Sequence, residues 1–96
     1  MDVPMAELDR ALILDGNAVA GMLLDAFGSE MTAAEARCDH CGSIGFLATL
    51  IAYTRAPGIV LRCRICQEVV LRMVETPTAL LVDARGATYV GHPRAL

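Results

Sequence analysis

Ninety-six residues, 55% of them hydrophobic and with a net charge of −3, exclude intrinsic disorder, because so much apolar side chain offsets the entropy lost on ordering. The length allows one domain (1–96) with a modest core, a size that often needs a disulfide, a metal or a partner as a staple. The longest apolar runs, such as Phe46 to Ala52, fall far short of the roughly 20 residues that span a bilayer.

Met1 to Ala11 shows no clear periodicity and carries Asp2, Glu7 and Asp9, unlike the positive leading end of a secretion signal. The expected compartment is therefore the reducing cytoplasm, where paired cysteines hold metals more often than they form disulfides. Helix signals gather from Leu14. Asp15 or Asn17 can accept a hydrogen bond from an unpaired amide of the first turn. Val19, Met22, Leu23, Ala26 and Phe27 then recur at the i, i+3, i+4, i+7, i+8 spacing of one helix face. Gly28 is a suitable stop. The pattern predicts a helix over about 16–27 with that stripe facing the core.

After Gly28 the pattern changes to strands, and 31–90 is expected to form an antiparallel zinc-ribbon sheet. Met31 to Arg37 leads into a first cysteine pair, and Gly45 to Tyr53 is rich in β-capable residues. A turn at Ala56-Pro57-Gly58 returns the chain through Ile59 to Arg62 to a second pair. Val69 to Glu75 and Ala79 to Asp83 read as two further strands, and a hairpin turn at Arg85-Gly86 leads to a last strand at Ala87 to Val90. The predicted fold is α+β: an N-terminal helix packed on a small antiparallel sheet with an added C-terminal hairpin.

The chemistry lies in Cys38-Asp39-His40-Cys41 and Cys63-Arg64-Ile65-Cys66, two C-x-x-C pairs that use every cysteine of the chain. Each pair can present two sulfurs from a tight turn, and a strand, turn and returning strand between them bring the turns together into a tetrahedron of thiolates. One zinc ion held by Cys38, Cys41, Cys63 and Cys66 is the expected cofactor. Four ligands leave no position for an activated water, so the metal is expected to be structural and the protein not an enzyme. Gly42 lets the first knuckle turn; Gln67 holds the corresponding place in the second and suits it less well. A redox dithiol would need a pair at a helix N-terminus, which the β-rich sequence after Gly42 argues against. Rubredoxin-type iron shares the four-thiolate geometry, and the spacing alone does not separate it from zinc. His40, inside the first pair, is expected to face solvent.

Charge is uneven along the chain. Residues 1–40 carry eight acids against Arg10 and Arg37, whereas residues 41–96 carry Glu68, Glu75 and Asp83 against six arginines. A four-thiolate zinc site would bring the loaded chain to about −5, a poor start for binding a polyanion. Arg37, Arg62 and Arg64 flank the knuckles. They can bind phosphate or an acidic partner, or they can offset the charge of the site and donate to sulfur.

The segment Leu14-Asp15-Gly16-Asn17-Ala18, together with Ala56-Pro57-Gly58-Ile59-Val60-Leu61-Arg62-Cys63 and the two C-x-x-C pairs, resembles an uncharacterised family of small actinobacterial zinc-ribbon proteins. The likeness spans about residues 8–90. It implies the ribbon and the cysteine ligands, brings no activity of its own, and suggests an accessory role beside a molybdopterin- or flavin-dependent oxidoreductase.

Independently of that likeness, Ile59-Val60-Leu61, Val69-Val70-Leu71 and Leu80-Leu81-Val82 are continuous rather than alternating, so both sheet faces call for burial. One helix covers only one face, which points to a protein-interaction module with a protein partner or a second copy. The alternatives are a nucleic-acid-binding ribbon using Arg37, Arg55, Arg62, Arg64 and Arg72 with Tyr53, against which acidity and scarce aromatics count, and an iron electron carrier.

Overall fold

The computed structural model describes residues 13–54 and 58–94. A short strand, β1 (Ile13–Asp15), leads into a 3-10 turn at Gly16–Val19 and then into helix α1 (Ala20–Phe27). Asp15 caps this unit, its carboxylate accepting the Ala18 N–H at 3.2 Å. Gly28 closes it with φ +73°, donating its N–H to the Leu24 carbonyl at 2.8 Å. The expected helix therefore has the right bounds, but its first turn is wound as 3-10. The cause is a close approach. Gly16 donates to the Leu50 carbonyl at 2.9 Å, and a Cβ on Gly16 would lie 1.7 Å from the Leu47 carbonyl oxygen. The Leu-Asp-Gly-Asn stretch is thus a docking corner: a cap at Asp15 and bare backbone at Gly16.

The remaining strands are β2 (Glu35–Cys38), β3 (Ile44–Phe46), β4 (Ile51–Tyr53), β5 (Gly58–Arg62), β6 (Val69–Glu75), β7 (Leu80–Asp83) and β8 (Ala87–Gly91), with a second 3-10 turn at Leu47–Thr49. They form two antiparallel sheets, one ordered β1-β4-β5-β6-β7 and the other β3-β2-β8. The α+β class expected from sequence is what the chain adopts. The helix, the strand after Gly28, the β4–β5 pairing and the β6 and β7 strands fall where the pattern puts them. The turn expected at Ala56-Pro57-Gly58 has its first two residues outside the described residues, with Gly58 opening β5.

Two details differ. β1 is additional, pairing Leu14 with Ala52. The turn at Arg85-Gly86 is present but does not close a hairpin: β7 pairs with β6, whereas β8 crosses to β2. Gly86 explains the crossing. A Cβ there would lie 1.8 Å from the Val69 carbonyl oxygen, so only glycine lets the chain pass over β6. The Gly86 carbonyl then accepts the Asp39 N–H at 2.9 Å, which steers the chain to the smaller sheet. The hairpin of the C-terminal half is β6–β7.

The core forms where the helical segment and the inner sheet faces meet. Ala52, Leu61 and Leu71 are cross-strand partners on one side of the larger sheet, with Ile59 and Met73 beside them. A bulge in β6 turns Val70 to the same side as Leu71, so two successive residues are buried. Leu23, Leu47, Leu61, Leu71 and Met73 are wholly enclosed, each contributing about 1.5–3 kcal/mol of transfer free energy. Of the helix stripe, Val19 and Leu23 are buried, while Met22, Ala26 and Phe27 pack half-exposed around them. The opposite side of the larger sheet carries Tyr53, Val60 and Arg72 in one row and Val74 and Leu81 in the next. Leu81 there is 55% exposed.

Candidate metal centre

Two turns of the same design deliver the four cysteines. Cys38 ends β2; its N–H donates to the Ser43 carbonyl at 2.9 Å, and its carbonyl accepts the Gly42 N–H at 2.8 Å. Cys63 follows β5; its N–H donates to the Glu68 carbonyl at 2.9 Å, and its carbonyl accepts the Gln67 N–H at 2.9 Å. Both turns need a left-handed residue after the second cysteine. Gly42 supplies it at φ +78° and Gln67 at φ +66°, the latter alone among the described non-glycine residues.

All four sulfurs lie within 4.8 Å of one another. Cys38 Sγ is 3.6 Å from Cys66 Sγ, and Cys41 Sγ is 3.7 Å from Cys63 Sγ. Zinc–sulfur bonds of about 2.3 Å require tetrahedral edges of about 3.8 Å, which these two sulfur–sulfur distances match. None of the cysteines is in a disulfide. The two cysteines that begin the knuckles, Cys38 and Cys63, are buried, Cys66 is half-buried, and Cys41 faces solvent. The sequence-predicted ligands are thus brought together as a set, and His40 is exposed and outside it.

Ser43 is the residue the sequence reading missed. Its hydroxyl lies 3.1 Å from Cys41 Sγ and 3.2 Å from Cys63 Sγ, bridging the two knuckles. The Ile65 N–H adds a contact to Cys63 Sγ at 3.4 Å. Burial pushes the Cys63 thiol up, but the Ser43 hydroxyl and the Cys66 and Ile65 amides outweigh it and hold the group down at about 6. Cys41 is lowered by the Ser43 hydroxyl and amide. Cys66 goes the other way: the Glu68 amide lowers it, yet burial and the sulfurs of Cys38, Cys41 and Cys63 carry it to about 12. One sulfur is readily held as a thiolate, and another keeps its proton because burial and three crowding sulfurs disfavour its charge. A divalent cation removes that conflict, and its binding releases the remaining protons.

The flanking arginines brace the turns. Arg62 Nη1 donates to the Gln67 carbonyl at 2.9 Å, holding the strained residue of the second knuckle, and Arg64 Nε donates to the Thr49 carbonyl at 2.9 Å. Arg37 lies against Gly42. Of the two readings of these arginines, donation to sulfur is not what the side chains do among the described residues: the donors on sulfur there are Ser43 and Ile65. Asp39 joins the first knuckle to β8 a second time, its carboxylate accepting the Thr88 hydroxyl at 3.1 Å. Four cysteines whose sulfurs lie within 4.8 Å of one another can hold one metal ion.

The chain belongs to a family of unknown function, DUF6510, whose model matches residues 7–95. No curated protein and no solved structure matches it.

Proposed function

We propose that this protein is a non-enzymatic interaction module of the zinc-ribbon type, acting in the cytoplasm as an accessory to a larger protein, with an oxidoreductase as the expected client. The observation that carries the reading is the donor set: the sulfurs of Cys38, Cys41, Cys63 and Cys66 meet within 4.8 Å of one another, close enough to share one metal ion. Four sulfurs complete a tetrahedron, so a bound zinc has no vacancy for substrate or water and serves to fix the knuckles. Such a site contributes folding free energy on the order of 10 kcal/mol.

Support for the interaction role comes from the side of the larger sheet away from the helix. Val60, Val74 and Leu81 lie there with Tyr53, whose ring has the Arg62 guanidinium 5.4 Å from its centroid. An apolar patch rimmed by arginine suits a protein partner with an acidic margin. The test combines metal analysis with recovery of the client. Elemental analysis should give about one zinc per chain in colourless protein; visible absorption of a ferric tetrathiolate would move the chain to electron transfer. An oxidoreductase recovered with the wild-type protein from its native host should be lost with Val74→Lys. Recovery unaffected by that substitution would sink the sheet-face reading.

A further inference from the structure

The larger sheet ends in a strand that has only one neighbour. Among the described residues β7 is paired with β6 alone. Alternate N–H and C=O groups of Leu80–Asp83 therefore point away from the sheet, an arrangement that another β-strand satisfies and few other surfaces do. Natural edges are usually blunted by proline, lysine, a bulge or an inward charge. β7 has none of these: Leu81 is 55% exposed on one side and Val82 38% on the other. Asp83, the only charge from Thr76 to Ala84, is neutralised by Arg85, with Nη2 2.6 Å from Oδ2. The edge is apolar and electrically quiet.

We infer that β7 is a self-association edge, pairing antiparallel with β7 of a second copy about a two-fold axis at Leu81. A two-fold axis perpendicular to the sheet keeps each side chain on its own face, so paired positions must differ by an even number of residues. Leu81 then faces Leu81 of the copy, Leu80 faces Val82, and Asp83 falls beside Ala79. Leu80, Leu81 and Val82 all meet apolar partners, and no like charges meet. Two five-stranded sheets join into one of ten strands. Helix α1, the element lying against β7, carries Leu24 at 46% exposure, a further apolar side chain on the element next to the junction.

The pairing deepens the interaction-module reading by making one partner a second copy, and it rests on that reading. Sedimentation equilibrium of the full zinc-loaded chain over the micromolar range should show a monomer–dimer equilibrium. Leu81→Lys sets two like charges opposite each other and should raise the dissociation constant about tenfold or more, with unchanged circular dichroism and zinc content. Ile44→Lys, on the smaller sheet, should leave it unaltered. If Leu81→Lys fails to fold, hydrogen exchange of the wild type decides: the outward β7 amides should be protected as concentration rises. A wild-type monomer, a dimer indifferent to Leu81→Lys, or β7 amides without concentration-dependent protection overturns the edge pairing. A zinc-loaded monomer leaves the module reading intact, whereas a chain that holds no metal removes the module itself.

Discussion

Gly42 and Gln67 occupy equivalent places in the two knuckles. Each follows the second cysteine of its pair, each donates its N–H to the carbonyl of the first cysteine, at 2.8 and 2.9 Å, and each has positive φ, +78° and +66°. Glycine adopts that conformation freely, whereas an L-residue with a Cβ is strained there by about 1–2 kcal/mol. The Arg62 bond to the Gln67 carbonyl lies where that strain is held.

The first prediction follows from this equivalence. Gln67→Gly removes the strain but adds freedom to the unfolded chain, for a net gain of about 0.5 kcal/mol and a rise in Tm of about 2–4 °C. Gly42→Gln should cost about 1 kcal/mol. Its Cβ would meet Arg37 only at 3.6 Å, ordinary contact, so backbone strain is the cause. Thermal unfolding of the zinc-loaded variants checks both. Two shifts of the same sign would show that the turns are not equivalent.

Ser43→Ala tests the hydroxyl bridge between the knuckles. The oxygen sits 3.1 and 3.2 Å from two of the four sulfurs, and partners of this kind typically account for about 10–100-fold in metal affinity. Chelator competition should show zinc held about tenfold more weakly, with the fold preserved. An unchanged affinity would make Ser43 a bystander.

The residue pattern made the donor set legible because every cysteine lies in a C-x-x-C pair, and each pair lies next to strand sequence. The helix bounds were legible for a similarly local reason, a cap at Asp15 and a stop at Gly28. What stayed hidden depends on distant backbone. β1 has three residues, too few for a period to show. Gly16 and Gly86 look like ordinary turn glycines, yet each lies against a carbonyl of a segment about thirty or seventeen positions away in sequence. Ser43 lies two residues after Cys41, but nothing local reveals that it also reaches Cys63. The continuous apolar strands call for burial on both faces, of which one helix covers only one. Among the described residues, one side is enclosed and the other bears Leu81.

Replacing Cys38 or Cys63 by Ser should be more damaging than replacing Cys41. The first two are buried and begin their turns, whereas Cys41 is exposed at the open corner of the site. Each change removes a soft ligand and should release zinc, since a hydroxyl does not replace a thiolate on that ion. For Cys38→Ser and Cys63→Ser the buried hydroxyl adds a desolvation cost of about 1–3 kcal/mol. Far-UV circular dichroism and elemental analysis of the three variants give the ranking. Full zinc content in any of them would contradict a four-sulfur site.

The last prediction separates the helix from the metal centre. Leu23 is wholly enclosed, whereas Phe27, which closes the same stripe, is half-buried and packs against the core from its margin. Leu23→Ala leaves a cavity with little room to collapse and should cost about 2–5 kcal/mol. Phe27→Ala should cost less than the about 3–5 kcal/mol typical of a buried phenylalanine, because solvent already reaches part of the ring. Asp25, exposed on the other side of α1, should tolerate Ala within about 0.5 kcal/mol. The order Leu23, Phe27, Asp25 is therefore expected in denaturant midpoints. The sulfurs are held by β2, β5 and the two turns, none of which includes α1, so zinc content should persist in all three variants. Loss of zinc in Leu23→Ala with the ribbon otherwise folded would mean that the helix sets the knuckle geometry. Equal sensitivity at Leu23 and Asp25 would mean that the buried face of α1 is misassigned.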